Sequence, residues 1–206
     1  MNADGLDPAL DYIFTIGHSN QTFEALLGNL RAYEIEAVVD VRSQPVSKYT
    51  PHFNRGDLTW RLQEAGIKYT FMGDTLGGRP DGREFYDEQG YVRYDLWSAS
   101  DAFQDGIARL RQSAARRRVA VLCSEEDPQA CHRHLLIARV LASAGWPAER
   151  IAHIRGDGSY VTDASIAVQP DMFGGEVGWR SPQSVLHKVQ RSTSSSGYGA
   201  PESDDW

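Results

Sequence analysis

The sequence is poor in cysteine and has no long apolar run, and both absences narrow the class of protein. Two cysteines in 206 residues, Cys123 and Cys131, are too few for a disulfide framework, so a reducing cytoplasm is the expected location. No apolar run approaches the roughly 20 residues of a membrane-spanning helix, and no membrane partner is expected. Residues 1–7 are acidic and polar, which is not the layout of a secretory signal peptide.

Positive charge is also in short supply. The chain has 21 Lys and Arg against 28 Asp and Glu, a formal net charge of −7. This balance excludes a protein that coats nucleic acid or a membrane surface through overall basic charge, although a local basic patch is still allowed. No glycine motif of the dinucleotide-binding type follows a strand and opens a helix, so no cofactor is expected.

Short apolar runs alternate along the chain with amphipathic stretches. The runs at residues 12–16, 37–41, 67–72, 119–122 and 151–154 predict strands. Helices are predicted over residues 23–33, with Thr22 as N-cap, over 58–65, ended by Gly66, and over 101–117. Such alternation is typical of a three-layer α/β domain with a mainly parallel sheet flanked by helices.

Asp127 and Pro128 predict the start of a further helix, which ends at Gly145. Asp127 fits the N-cap, and Pro128 fits the first turn, where its missing N–H costs nothing. Cys131 would then lie in or next to the first helical turn. The helix dipole and free N–H groups at that end lower the pKa of a thiol and attract anions.

The domain organisation expected from the sequence is simple. A single α/β domain covers residues 12–160, after an N-terminal extension at residues 1–11. Residues 161–189 form a C-terminal extension whose order the sequence does not determine. Residues 190–206 are rich in Ser and Gly, carry terminal acids, and are predicted to be a flexible tail.

Polar residues are concentrated where the predicted strands end. Because the carboxyl ends of parallel strands line one crevice, these residues are expected to converge there. The candidate catalytic residues are His18, Asp40, Glu125, Cys131 and His132. The candidate substrate-binding residues are Ser19, Arg42, Ser47, Gly77, Gly78, Cys123 and Arg133.

Three interpretations of residues 123–134 stay open. In the first, Cys131 is a nucleophile activated by His132 or His18. In the second, both cysteines and one histidine bind zinc, although C-x7-C followed directly by His is an uncommon zinc spacing, and a metal is not favoured. In the third, both cysteines are small buried residues and Arg133 is a structural ion-pair partner. The metal candidates are Cys123, Cys131 and one of His18, His132 or His153.

The motifs occur in an order that resembles one known family. They are Thr15-Ile-Gly-His18-Ser19, Asp40-Val-Arg42 with Pro45 and Ser47, Phe53, Leu76-Gly77-Gly78, Leu122-Cys123-Ser-Glu125 with Cys131-His132-Arg133, and His153-Ile154. Together they resemble the bacterial and archaeal family called domain of unknown function 488, over about residues 12–154. The resemblance implies a compact cytoplasmic α/β domain whose site consists of these polar residues, and it implies no particular activity.

The favoured hypothesis is an enzyme that acts on a phosphate-bearing substrate, such as a nucleotide or a modified base in nucleic acid. Arg42 and Arg133, with the N-terminus of the helix at Pro128, would hold the anion. The groups for acid–base work are Asp40, Glu125 and His18. The alternatives are a non-catalytic nucleotide- or nucleic-acid-binding module, a Cys/His metalloprotein and a sulfur-transfer protein. The expected partner is a small anionic ligand or nucleic acid, and the sequence leaves the oligomeric state open.

Overall fold

A single six-stranded sheet organises the described part of the chain, which in this computed structural model is residue 6 and residues 11–166 and 179–185. The strands are β1 (Ile13–Gly17), β2 (Ala37–Asp40), β3 (Lys68–Phe71), β4 (Val119–Cys123), β5 (Ile151–Ile154) and β6 (Tyr160–Thr162). Their order is β3-β2-β4-β1-β5-β6, with all neighbours parallel except β6, which runs antiparallel to β5. The predicted mainly parallel sheet is confirmed.

The sequence pattern indicates every strand except β6. The five predicted strands are present, and their bounds agree with the prediction to within one residue at each end. Strand β6 has only three residues, all half-buried, so it lacks the apolar run by which a strand is recognised. It follows a tight turn in which Gly158 has a positive φ of 83°. The sheet therefore extends to Thr162, slightly beyond the expected domain end at residue 160.

Helices cover both faces of the sheet. They are α1 (Phe23–Ala32), α2 (Arg55–Glu64), α3 (Gly73–Leu76), α4 (Tyr94–Ser98), α5 (Asp101–Ala114) and α6 (Arg139–Ser143). Thr22 caps α1 as predicted, since its Oγ1 accepts the Ala25 N–H at 3.2 Å. Gly66 follows α2 with a positive φ of 77°, as expected of a C-terminal glycine. No helix among the described residues is long and apolar enough to span a membrane.

The helix predicted from Pro128 to Gly145 is wrong as a continuous element. A single 3-10 turn at Pro128–Ala130 is followed by extended backbone at Cys131, with φ −127° and ψ 142°. A π-helix at Arg133–Ala138 then continues into α6. At the break, the three consecutive side chains of residues 131–133 are all buried. Cys131 still lies directly before the helical segment that follows, because its carbonyl oxygen accepts the Leu135 N–H at 3.0 Å.

Strand alternation sorts the polar residues onto the two faces of the sheet. In β4, Val119, Val121 and Cys123 pack in the core beneath α3, α4 and α5, whereas Ala120 and Leu122 pack beneath α1 and α2. Register places Thr15 beside Val121 on the α5 face. Asp40, paired with Leu122, lies on the α1 face. The candidate residues thus form two groups on opposite sides of one sheet edge.

Gly17, at the end of β1, allows the loop after β4 to approach the sheet. A Cβ at this position would lie 1.8 Å from the Glu125 carbonyl oxygen. We expect Gly17→Ala to lower the free energy of unfolding by about 1–3 kcal/mol, because backbone must shift to admit the methyl group. Gly28→Ala in α1 is the control, since a Cβ there meets nothing within 4 Å. It should raise stability by about 0.5–1 kcal/mol. Urea denaturation measures both, and equal effects would contradict the prediction.

Candidate functional site

A cavity of about 330 Å³ lies at the carboxyl ends of β2 and β4. Its volume is at the lower end of the range for small-molecule sites. Most of its lining is polar or charged, which suits a polar ligand. The lining residues are Arg42, Ser43, Gln44, Val46, Gly78, Arg79, Val92, Tyr94, Cys123, Ser124, Glu125, Ala130, Cys131, His132, Ser181, Pro182 and Gln183.

Both cysteines, a histidine and a glutamate meet in the lining of this cavity. Cys123 Sγ lies 3.1 Å from Glu125 Oε2 and 3.6 Å from His132 Nδ1. Cys131 Sγ lies 3.6 Å and 3.9 Å from the same two atoms. His132 Nε2 is 3.2 Å from the Val41 carbonyl oxygen, to which it donates. Its Nδ1 therefore faces the two sulfur atoms.

The electrostatics of this group distinguish the two cysteines. A hydrogen bond from Cys131, followed by the charge and hydrogen bond of His132, holds the pKa of Cys123 well below its usual range despite burial. Burial and the neighbouring Cys123 raise the pKa of Cys131. Burial and Cys123 also raise the pKa of Glu125. Burial opposes the charge on His132, but Cys123 outweighs it and raises the pKa of His132. These opposite shifts make Cys123 the more acidic of the two thiols.

A second polar group, on the α1 face, holds Arg42 in place. Asp40 Oδ1 accepts from Arg42 Nε at 2.9 Å, and Asp40 Oδ2 accepts from Arg42 Nη2 at 2.6 Å. Tyr69 donates its hydroxyl to Asp40 Oδ2 at 2.8 Å. Asp40 is 0% exposed, so it lies behind Arg42 and does not line the cavity. The arrangement gives Asp40 the geometry of a residue that positions Arg42.

His18 also lies behind Arg42. Its Nδ1 donates to the Ser19 carbonyl oxygen at 2.8 Å, and its Nε2 accepts from Arg42 Nη1 at 3.1 Å. The ring stacks on Phe53, with centroids 4.5 Å apart. Burial and the Arg42 charge lower the pKa of His18 to about 4, so the ring is neutral at neutral pH. His18 is outside the cavity lining, although sequence reasoning proposed it for catalysis.

Arg133 does not offer its guanidinium to the cavity, contrary to the sequence-based expectation. The residue is 0% exposed. Its Nη2 donates to the carbonyl oxygens of Glu125 and Glu126, and its Nη1 lies 3.4 Å from Thr15 Oγ1. These contacts tie the loop after β4 to β1. Arg133 is placed to shape the cavity and not to touch a ligand in it.

The four remaining candidate residues, two glycines and two serines, also divide into one that lines the cavity and three that do not. Gly78 borders the cavity, and a Cβ there would lie 2.8 Å from the His132 ring. Gly77, Ser47 and Ser19 lie outside the lining, and their polar groups hold local backbone structure instead. Six of the predicted site residues line the cavity. They are Arg42, Gly78, Cys123, Glu125, Cys131 and His132.

Sequence reasoning missed the wall formed by residues 179–185. Ser181 exchanges hydrogen bonds with Val92, since its N–H donates to the Val92 carbonyl and its Oγ accepts the Val92 N–H, both at 2.9 Å. Trp179 Nε1 donates to the Leu135 carbonyl at 2.8 Å. Trp179, a large apolar side chain in the expected C-terminal extension, was the available signal. The predicted tail at residues 190–206 lies outside the described residues.

A chain of hydrogen bonds runs from Arg133 to the edge of the sheet. Thr15 Oγ1 lies 2.8 Å from His153 Nδ1, and His153 Nε2 donates to Asp163 Oδ1 at 3.0 Å. His134 Nδ1 donates to the same oxygen at 2.6 Å. Since Arg133 donates to Thr15, each member has a defined proton position. Asp163, which sequence reasoning missed, is the acceptor at the end of this series of hydrogen bonds.

Two groups of side chains have donor atoms close enough together to hold a metal ion, among the residues that the structure describes. The first consists of Cys123, Cys131 and His132, and the second of His134, His153 and Asp163. In each group the donor atoms lie within 4.8 Å of one another. The second group already satisfies itself by hydrogen bonds. The first opens onto the cavity.

Fold and site together define a three-layer α/β protein with a polar cavity at the carboxyl end of its sheet. The family model described as Domain of unknown function DUF488 matches residues 22–140, more than half of the chain. The chain belongs to this family, which confirms the resemblance drawn from the motifs. No curated protein and no solved structure gives a significant match. The function therefore has to be inferred from the chemistry of the cavity.

Asp163 makes the stability of the protein sensitive to acid. Burial opposes its charge, but hydrogen bonds from His134 and His153 lower its pKa to about 2. A depressed carboxyl pKa stabilises the fold above the unfolded value near 4, and this contribution is lost as the pH falls toward 2. We expect Asp163→Asn to cost about 2 kcal/mol at pH 7, with a difference from wild type that shrinks below about pH 4.

Burial lowers the pKa of His153, which adds a loss of stability in the same direction. This loss begins as the pH falls below about 6.5, where an unfolded histidine takes up a proton. Denaturation at several pH values measures both effects. Asp105→Asn, at an exposed position of α5, is the control and should change stability by less than about 0.5 kcal/mol. A constant difference between wild type and Asp163→Asn down to pH 3 would contradict the prediction.

Proposed function

We propose that the protein is an enzyme that acts on a phosphate-bearing substrate, such as a nucleotide or a modified base in nucleic acid. One observation carries the proposal: a single cavity has two arginines, Arg42 and Arg79, in its lining together with the group of Cys123, Glu125 and His132. Cations that hold an anion and groups that transfer protons are the two requirements for chemistry on such a substrate.

Arg42 is built to present its guanidinium. Its hydrogen bonds to Asp40 and His18 use three of the five N–H groups on its side chain, as counted over the described residues. The remaining two are available for a phosphate, which arginine binds through paired N–H groups. Because Tyr69 also holds Asp40, the guanidinium is oriented before a ligand arrives.

Arg79 supplies the second cation from another element. Its backbone N–H donates to Ser43 Oγ at 2.9 Å, which fixes the chain at the point where the side chain enters the lining. Two guanidinium groups in a small cavity attract a dianion more strongly than one. Polar side chains at Gln44 and Ser124 can hydrogen-bond the remainder of the substrate.

Glu125 is the best placed of the predicted acid–base groups. It borders the cavity, whereas Asp40 and His18 lie behind Arg42. Its Oε2 lies 3.1 Å from Cys123 Sγ and 3.6 Å from Cys131 Sγ, so its carboxyl group faces the two sulfur atoms. A positioned carboxyl group of this kind contributes about 10²–10⁴-fold to a rate by transferring a proton.

Arg79→Gln tests the anion site. We expect it to weaken binding of inorganic phosphate or a nucleoside phosphate by about 10–100-fold, since a hydrogen bond to a charged group contributes about 1.5–3 kcal/mol. Calorimetric titration with phosphate, nucleoside mono-, di- and triphosphates and short single-stranded oligonucleotides measures the effect. Arg109→Gln removes the same charge from an exposed position of α5 outside the cavity and is the matched control. A wild-type chain that binds none of these ligands contradicts the proposal, as does equal binding by both variants.

Glu125→Gln tests whether the site is catalytic. With the ligand that binds best, we expect this variant to keep its affinity within a few-fold and to lose about 10²–10⁴-fold in turnover. Product formation followed by mass spectrometry gives the rate. Binding without turnover in the wild-type protein would contradict the enzyme proposal and identify a binding module.

A further inference from the structure

The donor atoms of Cys123, Cys131 and His132 are spaced as metal ligands are spaced. Tetrahedral zinc has bonds of about 2.3 Å to sulfur and 2.0–2.1 Å to nitrogen, which places neighbouring donor atoms about 3.3–3.8 Å apart. His132 Nδ1 lies 3.6 Å from Cys123 Sγ and 3.9 Å from Cys131 Sγ. All three donor atoms lie within 4.8 Å of one another. Little movement is needed to close these atoms around one ion.

The hydrogen bond of His132 is the one that a metal-binding histidine makes. Its Nε2 donates to the Val41 carbonyl at 3.2 Å. A histidine ligand usually donates its other ring N–H to a carbonyl or carboxylate, which fixes both the tautomer and the ring orientation. Here that bond leaves the Nδ1 lone pair directed at the two sulfur atoms. The Val41 carbonyl thus orients His132 as a residue outside the ligand set of a metal site would.

The number of residues between zinc ligands is restricted only in sites where one local turn supplies two of the ligands. The common short spacings bring two cysteines together within one turn. Here Cys123 ends β4, and Cys131 and His132 return to it through the extended break in the chain. Tertiary structure makes the juxtaposition, so the uncommon C-x7-C-H spacing does not count against it.

We propose that Cys123, Cys131 and His132 bind one Zn²⁺ ion whose fourth coordination position opens onto the cavity beside Glu125. Two thiolates and an imidazole are a donor set that zinc prefers. Three protein ligands with an open position are typical of catalytic zinc, whereas structural sites are closed by four. An ion here could polarise a phosphoryl oxygen or bind water. That use rests on the function proposed above, but binding of the ion does not.

Metal content tests the site directly. Tag-free protein, kept reduced, is equilibrated with Zn²⁺, desalted and analysed by mass spectrometry of the metal. We expect about one ion per chain in wild type and less than about 0.2 in Cys131→Ser and His132→Asn. His134→Asn is the matched control, because it removes a histidine from the other group of donor atoms and should keep about one ion.

Cobalt substitution tests the wild-type protein without any variant. Co²⁺ bound by two thiolates and an imidazole gives thiolate-to-cobalt charge-transfer absorption in the near ultraviolet and strong tetrahedral bands in the visible. We expect both on stoichiometric addition of Co²⁺, and their loss when Zn²⁺ displaces the cobalt. This readout remains valid if a variant fails to fold.

Several outcomes overturn the proposal. Wild-type protein with less than about 0.2 Zn²⁺ per chain overturns it, as does a cobalt complex without thiolate charge transfer. Loss of the ion in His134→Asn with retention in Cys131→Ser assigns metal to the other group and also overturns it. Phosphate binding that depends on Arg79 is measured separately. If only metal binding fails, the proposed function stands; if only phosphate binding fails, the metal site stands.

Discussion

The buried guanidinium of Arg133 is the contact on which the cavity depends. It holds the carbonyl oxygens of Glu125 and Glu126, and it reaches β1 through Thr15. Because one side chain contacts both loop carbonyls and β1, it fixes the path of the chain after β4. Because Cys131 lies only two residues before Arg133, the same anchor determines where the second cysteine approaches the first.

The two faces of the sheet contribute different parts of the site. The α1 face supplies the scaffold of Asp40, Tyr69 and His18, all of which hold Arg42 or its partner. The α5 face supplies the sulfur atoms and His132. Arg42 connects the two groups. It hydrogen-bonds to Asp40 and His18 on the α1 face, and it lines the cavity together with the cysteines and His132. Burial of Asp40 is thus compatible with function, since a buried carboxylate can determine where a guanidinium points.

The periodicity of the sequence predicts the sheet and the meeting of polar residues at the carboxyl ends of its strands. Apolar runs predict five strands, and Thr22 and Gly66 identify helix ends, because these features depend on local preferences. The break at Cys131 coincides with long-range contacts that local preferences do not encode, since Cys131 Sγ lies 3.6 Å from Glu125 Oε2 and Arg133 reaches Thr15. The inward direction of Arg133 depends on its contacts with Thr15 and with the loop carbonyls, and therefore no local pattern predicts it. The wall at residues 179–185 depends on long-range hydrogen bonds that periodicity does not encode.

Accessibility is the main argument for the proposed use of the two sulfur atoms as metal ligands. Cys123 is 3% exposed and Cys131 is 1% exposed, although both border the cavity. A nucleophilic or sulfur-carrying thiol must meet an electrophilic atom of the substrate at bonding distance, which requires an open approach. A metal ion needs only donor atoms that face one another, and it can carry the reactive position outward to the cavity. Two buried sulfurs facing one imidazole nitrogen therefore support the proposed ligation, and Glu125 is the group proposed to meet the substrate.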